Sequence, residues 1–287
     1  MKTYNFQNDI KMIRKCLGMT QIDFAESLEI SRSNIARYEA GAISPRKEAA
    51  EKIYNFAFLN DFDLNGSKAM LYEDEKKGKI LLFHGARGEI VGEIDTKHSE
   101  PPNDFGDGFY LGQTLRQANM WVSAHKGSST YCFYFNDNGL RKIEFDVDYD
   151  WMLAILYFRG ALNGYILPDR LSKILEEIAL CDYIIAPIAD NQMYDTLELF
   201  KNNIISDVAC LHALSANNLG KQYVMKSEKA CSRLESIDRL YLCNAERNFY
   251  LDIKERSFNE GKNKTSLAIA KYRKEGELFN EIFKRKK

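Results

Sequence analysis

"DFGDGFYLGQTLRQANMWV", residues 104–122, decides how the longer part of this chain is read. Gly106 and Gly108 supply the backbone freedom of a tight turn, and the aromatic pair Phe109 and Tyr110 then favours a short strand. Beyond Gly112 the apolar residues recur at helical spacing, so the segment reads turn, strand, helix. Tyr110 and Trp121 therefore stand on two different elements, and both could face one slot. That slot is either a ligand site or core, and the flanking sequence has to decide.

Outward from this segment the same alternation continues. Strand-like runs occur at 79–84 (KILLFH), 131–135 (YCFYF), 142–147 (KIEFDV), 182–188 (DYIIAPI) and 222–226 (QYVMK). Between them helices are predicted near 113–126, 150–162, 169–180, 191–203, 206–215 and 227–237. The expected fold class is α+β. Upstream, helical spacing runs through residues 8–57, with Pro45 where a helix can begin, and sets off an all-α module over 1–59. Residues 60–78 lose the periodicity and collect Gly, Asn and charge, the marks of a linker. A mixed domain over 79–244 comes next. Residues 245–287 carry twelve basic and seven acidic side chains in a helical pattern interrupted by Gly261 and Gly276, the composition of a solvated helical tail.

With 287 residues and 45% hydrophobic content the chain can bury two cores. Forty Lys and Arg stand against 41 Asp and Glu, so a nucleic-acid or membrane partner has to be recognised by local patterning rather than bulk charge. Six cysteines without a CxxC pair fit reduced thiols, and four histidines outside metal-ligand spacing give no reason to expect a metal. The opening MKTYNFQNDIK lacks the apolar core of a signal peptide, and no run approaches the roughly 20 apolar residues of a membrane span. A cytoplasmic protein with no membrane partner is expected.

In "IRKCLGMTQIDFAESLEISRSNIARYEAGAISPRKEAAEKI", residues 13–53, Thr20 can cap one helix and Ser31 a second, with a turn of a few residues between them. Ala25 allows close crossing, and Ile22, Leu28, Ile30, Ile35 and Tyr38 supply a shared core. The TQ, SRSNI and YEAG segments and the later proline closely resemble the helix-turn-helix of the Cro and phage-repressor family. That resemblance implies DNA as a partner. Arg32, Ser33, Asn34 and Arg37 would read the major groove, and Gln21 would sit near the DNA backbone. The alternative is a helical scaffold of solvated polar residues that binds protein. Glu29 occupies a turn position the family often fills with glycine, which implies a mild backbone cost. Nine basic against seven acidic residues in 1–60 make a monomer a weak DNA binder, so a homodimer or an extra basic surface is expected.

In the second domain His84 and Gly85 end an apolar strand, the 104–122 segment comes after it, and LGKQYVMKSEKACSRL (219–234) reads as a strand with a helix starting near Ser227. These three segments resemble the three motifs of the ADP-ribosyltransferase superfamily, and the layout over about 79–237 is similar to an uncharacterised bacterial family assigned to it. The resemblance implies a split antiparallel sheet, NAD as substrate, and His84, Tyr110 and Gln222 as catalytic residues. His84, Gly85, Phe109, Tyr110 and Trp121 would hold the cofactor: imidazole on ribose, Gly85 backbone near the carboxamide, the aromatic rings around nicotinamide. Gln222 departs from the glutamate common at that position. It can hydrogen-bond a ribose hydroxyl but brings no charge to the oxocarbenium centre. Glu228, Asp190 and Asp107 are candidate suppliers of the missing carboxylate.

Together the two resemblances imply a mono-ADP-ribosyltransferase with a DNA-binding head, as a toxin-like or phage-defence effector with a cognate antitoxin, acting on a protein or nucleic-acid acceptor. The rivals are a transcriptional regulator that senses NAD or a related nucleotide without turnover, favoured by Gln222, and an NAD glycohydrolase.

Overall fold

The structure is a computed structural model describing residues 1–286 apart from 98, 100–102, 190, 217 and 218. In chain order its elements are α1 (Phe6–Cys16), α2 (Gln21–Ser27), α3 (Arg32–Glu39), α4 (Lys47–Leu59), α5 (Leu64–Glu75), β1 (Ile80–Ala86), β2 (Phe109–Gly112), α6 (Leu115–Val122), β3 (Ser129–Phe135), β4 (Lys142–Glu144), α7 (Tyr149–Phe158) and α8 (Asp169–Leu180). Then come β5 (Tyr183–Pro187), α9 (Asn191–Lys201), α10 (Asp207–Ser215), β6 (Lys221–Met225), α11 (Glu228–Cys231), β7 (Leu234–Tyr241), α12 (Asn244–Tyr272) and α13 (Phe279–Ile282). The α+β class is observed. No helix among the described residues is long and apolar enough to cross a membrane.

The chain falls into two compact units, each assembled from separated stretches. The first comprises Met1–Gly92, Thr114–Asn136 and Glu235–Ile253. Its helical head is built by local capping: the Thr20 hydroxyl accepts from Asp23 N–H at 3.2 Å within a capping box, and the Ser31 hydroxyl accepts from Asn34 N–H at 3.2 Å. Phe24, Ala25, Leu28, Ile35 and Tyr38 are buried together with Ile10, Ile13 and Ile53. Ile22, expected in that core, is 49% exposed; it lies next to Gln21 on the outer face of α2. Glu29 has φ +49°, the left-handed conformation its turn position called for.

Residues 64–75 are not a linker. Asp63 caps α5 by accepting from Gly66 N–H at 2.8 Å, and Leu64, Asn65 and Lys68 are buried. The Lys68 ammonium lies between two carboxylates, 2.7 Å from Asp9 and 2.5 Å from Asp238 on β7. Tyr54 donates to Asp9 at 2.6 Å and Tyr72 to Asp238 at 2.6 Å. The head is therefore tied by buried charge to the strands of the same unit. There β1 pairs antiparallel with β3, Ile80 opposite Phe135 through Ala86 opposite Ser129, and β7 lies on the other side of β3.

The second unit comprises Glu93–Gln113, Asp137–Leu234 and Lys254–Lys287. Its strands lie in the order β4, β5, β6, β2. β5 is antiparallel to β6 and β6 to β2, but β4 is parallel to β5. The expectation of an antiparallel sheet is thus corrected to a mixed one: α7 and α8 lie in the connection from β4 to β5, long enough for the crossover a parallel pair requires. α7 is almost wholly buried, from Trp151 to Leu156, and packs with Leu171, Ile178, Ile184, Phe200 and Val224.

Two further expectations are corrected. The helix predicted over 227–237 stops after α11, and 234–241 form β7, because Ser227 caps only one turn before the Leu-Glu-Ser-Ile alternation begins. The C-terminal stretch is helical but not a solvated tail. Phe279 and Phe283 are buried in the second unit's core, Glu246 and Arg247 are buried in the first unit, and Gly261 lies inside α12 rather than breaking it. Gly276 lies in the bend after α12, four residues beyond its end, with φ +84° and no room for a side chain beside Asp207. All six cysteines are free thiols, Cys16 exposed and the rest buried.

Candidate functional site

In the head, the Ser31 cap starts α3 and its buried Ile35 and Tyr38 turn one face inward. The opposite face is left to Arg32, Ser33 and Arg37, all exposed, with Asn34 half-exposed beside them. Their side chains form no hydrogen bond or ion pair within the described residues, so the two guanidiniums carry unspent donors into solvent. Gln21, expected near the DNA backbone, is half-buried at the start of α2. Its amide donates to Glu39 at 2.8 Å, beside the Arg14 guanidinium that holds the same carboxylate at 2.6 Å. That pairing keeps the Glu39 carboxyl below its ordinary value against the effect of burial. Gln21 thus buttresses α2 against α3.

The residues assigned to the nucleotide site divide between the two units. His84 and Gly85 on β1 and Trp121 on α6 belong to the first. His84 is half-buried opposite Tyr131, and Trp121 is 65% exposed on the outer face of α6. Gly85 has a packing reason to be glycine: an added Cβ would sit 2.5 Å from the Ala118 carbonyl oxygen and 2.8 Å from a Val122 methyl. Phe109, Tyr110 and Gln222 belong to the second unit, where β2 pairs with β6 and Gly112 lies opposite Gln222. Phe109 is fully buried, so its ring is core rather than an open stacking face. The Tyr110 hydroxyl accepts from Phe105 N–H at 3.1 Å and donates to the Gly106 carbonyl at 2.7 Å, closing the turn that precedes its own strand. Burial pushes that phenol up.

The residue that sequence reasoning missed is Asp104, at the start of the 104–122 segment. It is buried, and its carboxylate gathers side chains from across the second unit. Gln222 Nε2 donates to Asp104 Oδ2 at 2.7 Å and also faces the Pro187 carbonyl oxygen at 3.1 Å. Arg159 donates to Asp104 Oδ1 at 2.8 Å, Tyr194 hydrogen-bonds the same oxygen, and the Arg159 guanidinium stacks 3.9 Å over the Tyr194 ring. Burial pushes the Asp104 carboxyl above its ordinary value, opposed by Gln222 and Arg159. The other suggested carboxylates do not reach Gln222 in this way. Glu228 is exposed and takes the Thr96 hydroxyl at 3.3 Å, Asp107 is exposed, and Asp190 lies outside the described residues.

An α3 capped by Ser31 and packed on α2 defines the class: a chain with a helix-turn-helix head of the DNA-binding, regulator type. Residues 10–56 match the family described as Helix-turn-helix. Residues 80–236, more than half of the chain, match the family described as Protein of unknown function (DUF3990), and the chain belongs to that family. No curated protein and no solved structure matches it. The family match carries no activity with it, so the likeness to ADP-ribosyltransferases rests on the three sequence segments alone.

Proposed function

We propose that the protein binds DNA sequence-specifically through α3 and that its second domain takes NAD, transferring ADP-ribose to a protein or nucleic-acid acceptor. The observation that carries the first half is the unspent donor set of Arg32, Ser33 and Arg37 on a capped and buttressed helix. For the second half the support is the motif layout together with the Asp104 carboxylate behind Gln222, the negative group that glutamine alone lacks. In the reaction the bond between nicotinamide nitrogen and ribose C1′ breaks, nicotinamide leaves as a neutral molecule, and the acceptor nucleophile bonds to C1′ as it loses a proton. Negative charge held near the ribose would stabilise the oxocarbenium-like transition state.

A specific observation favours a second reading, NAD sensing without turnover. The Asp104 charge is already compensated by Arg159 at 2.8 Å, which weakens its field at a developing cation. One experiment separates the two. The full chain is incubated with NAD labelled in the adenosine half, and nicotinamide release and label transfer to protein, DNA and RNA are measured. Release with transfer supports the enzyme. No release, with DNA affinity that changes when NAD is added, supports the sensor. Absence of both binding and release excludes both.

A further inference from the structure

We propose that Asp104 is the positioning residue of Gln222, fixing its amide so that Gln222 offers a ligand only a carbonyl acceptor and thereby selects a hydroxyl donor. The inference rests on the reading that the second domain takes a ribose-bearing nucleotide. A glutamine amide has two N–H donors and one carbonyl oxygen. Here Nε2 faces two acceptors, Asp104 Oδ2 at 2.7 Å and the Pro187 carbonyl at 3.1 Å, so both donors are spent on the protein. Flipping the amide would set Oε1 against a carboxylate and a carbonyl, with no proton in either contact. Asp104 is itself held in place on its other oxygen by Arg159 and Tyr194, so the orientation of Gln222 is imposed from a fixed base.

The consequence is selectivity by polarity. A fixed carbonyl acceptor at Gln222 suits a sugar hydroxyl and disfavours a phosphate oxygen, which would meet lone pair with lone pair. It also reverses the expectation that glutamate at this position improves the site. Gln222→Glu would bring a second carboxylate to hydrogen-bond distance of Asp104, and the two would have to share one proton. The structure instead points to an exchange: Asp104→Asn combined with Gln222→Glu restores a donor and an acceptor at the 104–222 contact, with their places swapped, while a glutamate oxygen still faces the Pro187 carbonyl.

The test uses the full chain in two arms. In the first, side-chain amide exchange of Gln222 is read by NMR on protein labelled at glutamine nitrogen, with Gln222→Glu identifying the resonance by its loss. Two distinct amide protons exchanging at least tenfold more slowly than those of exposed glutamines, and becoming fast in Asp104→Asn, support the proposal. Fast exchange in the wild type overturns it, whether or not NAD binds. In the second arm NAD binding is measured by calorimetry. Asp104→Asn and Gln222→Glu are each expected to weaken binding at least tenfold, and the double variant to recover part of that loss, binding at least threefold more tightly than either single variant. Single variants within twofold of wild type, or a double variant no better than the singles, overturn the positioning role. If wild type binds no NAD, the nucleotide reading fails, and amide exchange still decides the arrangement of Asp104 and Gln222. Should Asp104→Asn not fold, the wild-type exchange rates and Gln222→Glu carry the decision.

Discussion

Gly85→Ala separates two explanations of one residue. The resemblance assigns Gly85 to close approach of a carboxamide, whereas the structure gives it a packing role against α6. An alanine Cβ would lie 2.5 Å from the Ala118 carbonyl oxygen and 2.8 Å from Val122 Cγ1, and ordinary contact begins at 3.4 Å. The carbonyl belongs to helical backbone and cannot rotate away, so α6 would have to retreat by about 0.9 Å from β1. Val122 and Ala118 are both on the buried face of that helix, and overpacking a fixed interface of this kind costs about 1–3 kcal/mol. In a chain of this size that corresponds to a fall in Tm of roughly 2–5 °C, read by differential scanning calorimetry without any ligand. A variant that melts within about 1 °C of wild type and loses only NAD affinity would refute the packing argument and return Gly85 to the ligand.

Other perturbations rest on local physics. Glu29→Gly relieves a left-handed residue at φ +49°; against glycine's unfolded-state entropy and the lost surface pair with Lys52, a net gain of about 0.5 kcal/mol is expected in urea titration, and a loss would contradict the strain. Lys68→Met leaves Asp9 and Asp238 buried without their cation, and should cost about 3–5 kcal/mol; a neutral effect in the same titration would show the network to be dispensable. Burial pushes the Glu246 carboxyl from 4.5 up to about 8. The folded state then holds a proton that the unfolded chain releases, so this contribution is complete below about pH 4.5 and declines as pH rises through about 8. Glu246→Gln cannot ionise and should be less pH-dependent across that window; identical pH profiles for both proteins would refute the assignment.

The head is legible in the sequence because its signals are local. Thr20, Ser31 and the left-handed turn at Glu29 act within a few residues of where they stand, and each is found in the expected role. Elements that depend on distant partners are not legible in this way. α5 is hidden by Asn65 and Gly66, residues of low helix propensity, because the reason for its stability is Lys68 between Asp9 and Asp238, carboxylates far away in sequence. β7 reads as helix because LESIDRLY comes after a capped turn and alternates only loosely, and its place beside β3 comes from the sheet rather than its own pattern. The buried aromatics Phe279 and Phe283 sit in a charged stretch whose composition gives no sign of a core face. Asp104 resembles an ordinary turn residue, and only the fold brings it to Gln222, 118 positions later.

The DNA-reading head is tested most directly by selection from a random duplex library with the full chain, then mobility shift on the enriched sequence. A discrete motif is expected, bound less tightly as salt is raised. Arg32→Ala and Arg37→Ala should each cost about 1–3 kcal/mol on that sequence, and together they should reduce binding to the level seen with scrambled DNA. No enriched motif, or a double variant that binds the selected duplex as tightly as wild type, would contradict recognition through α3.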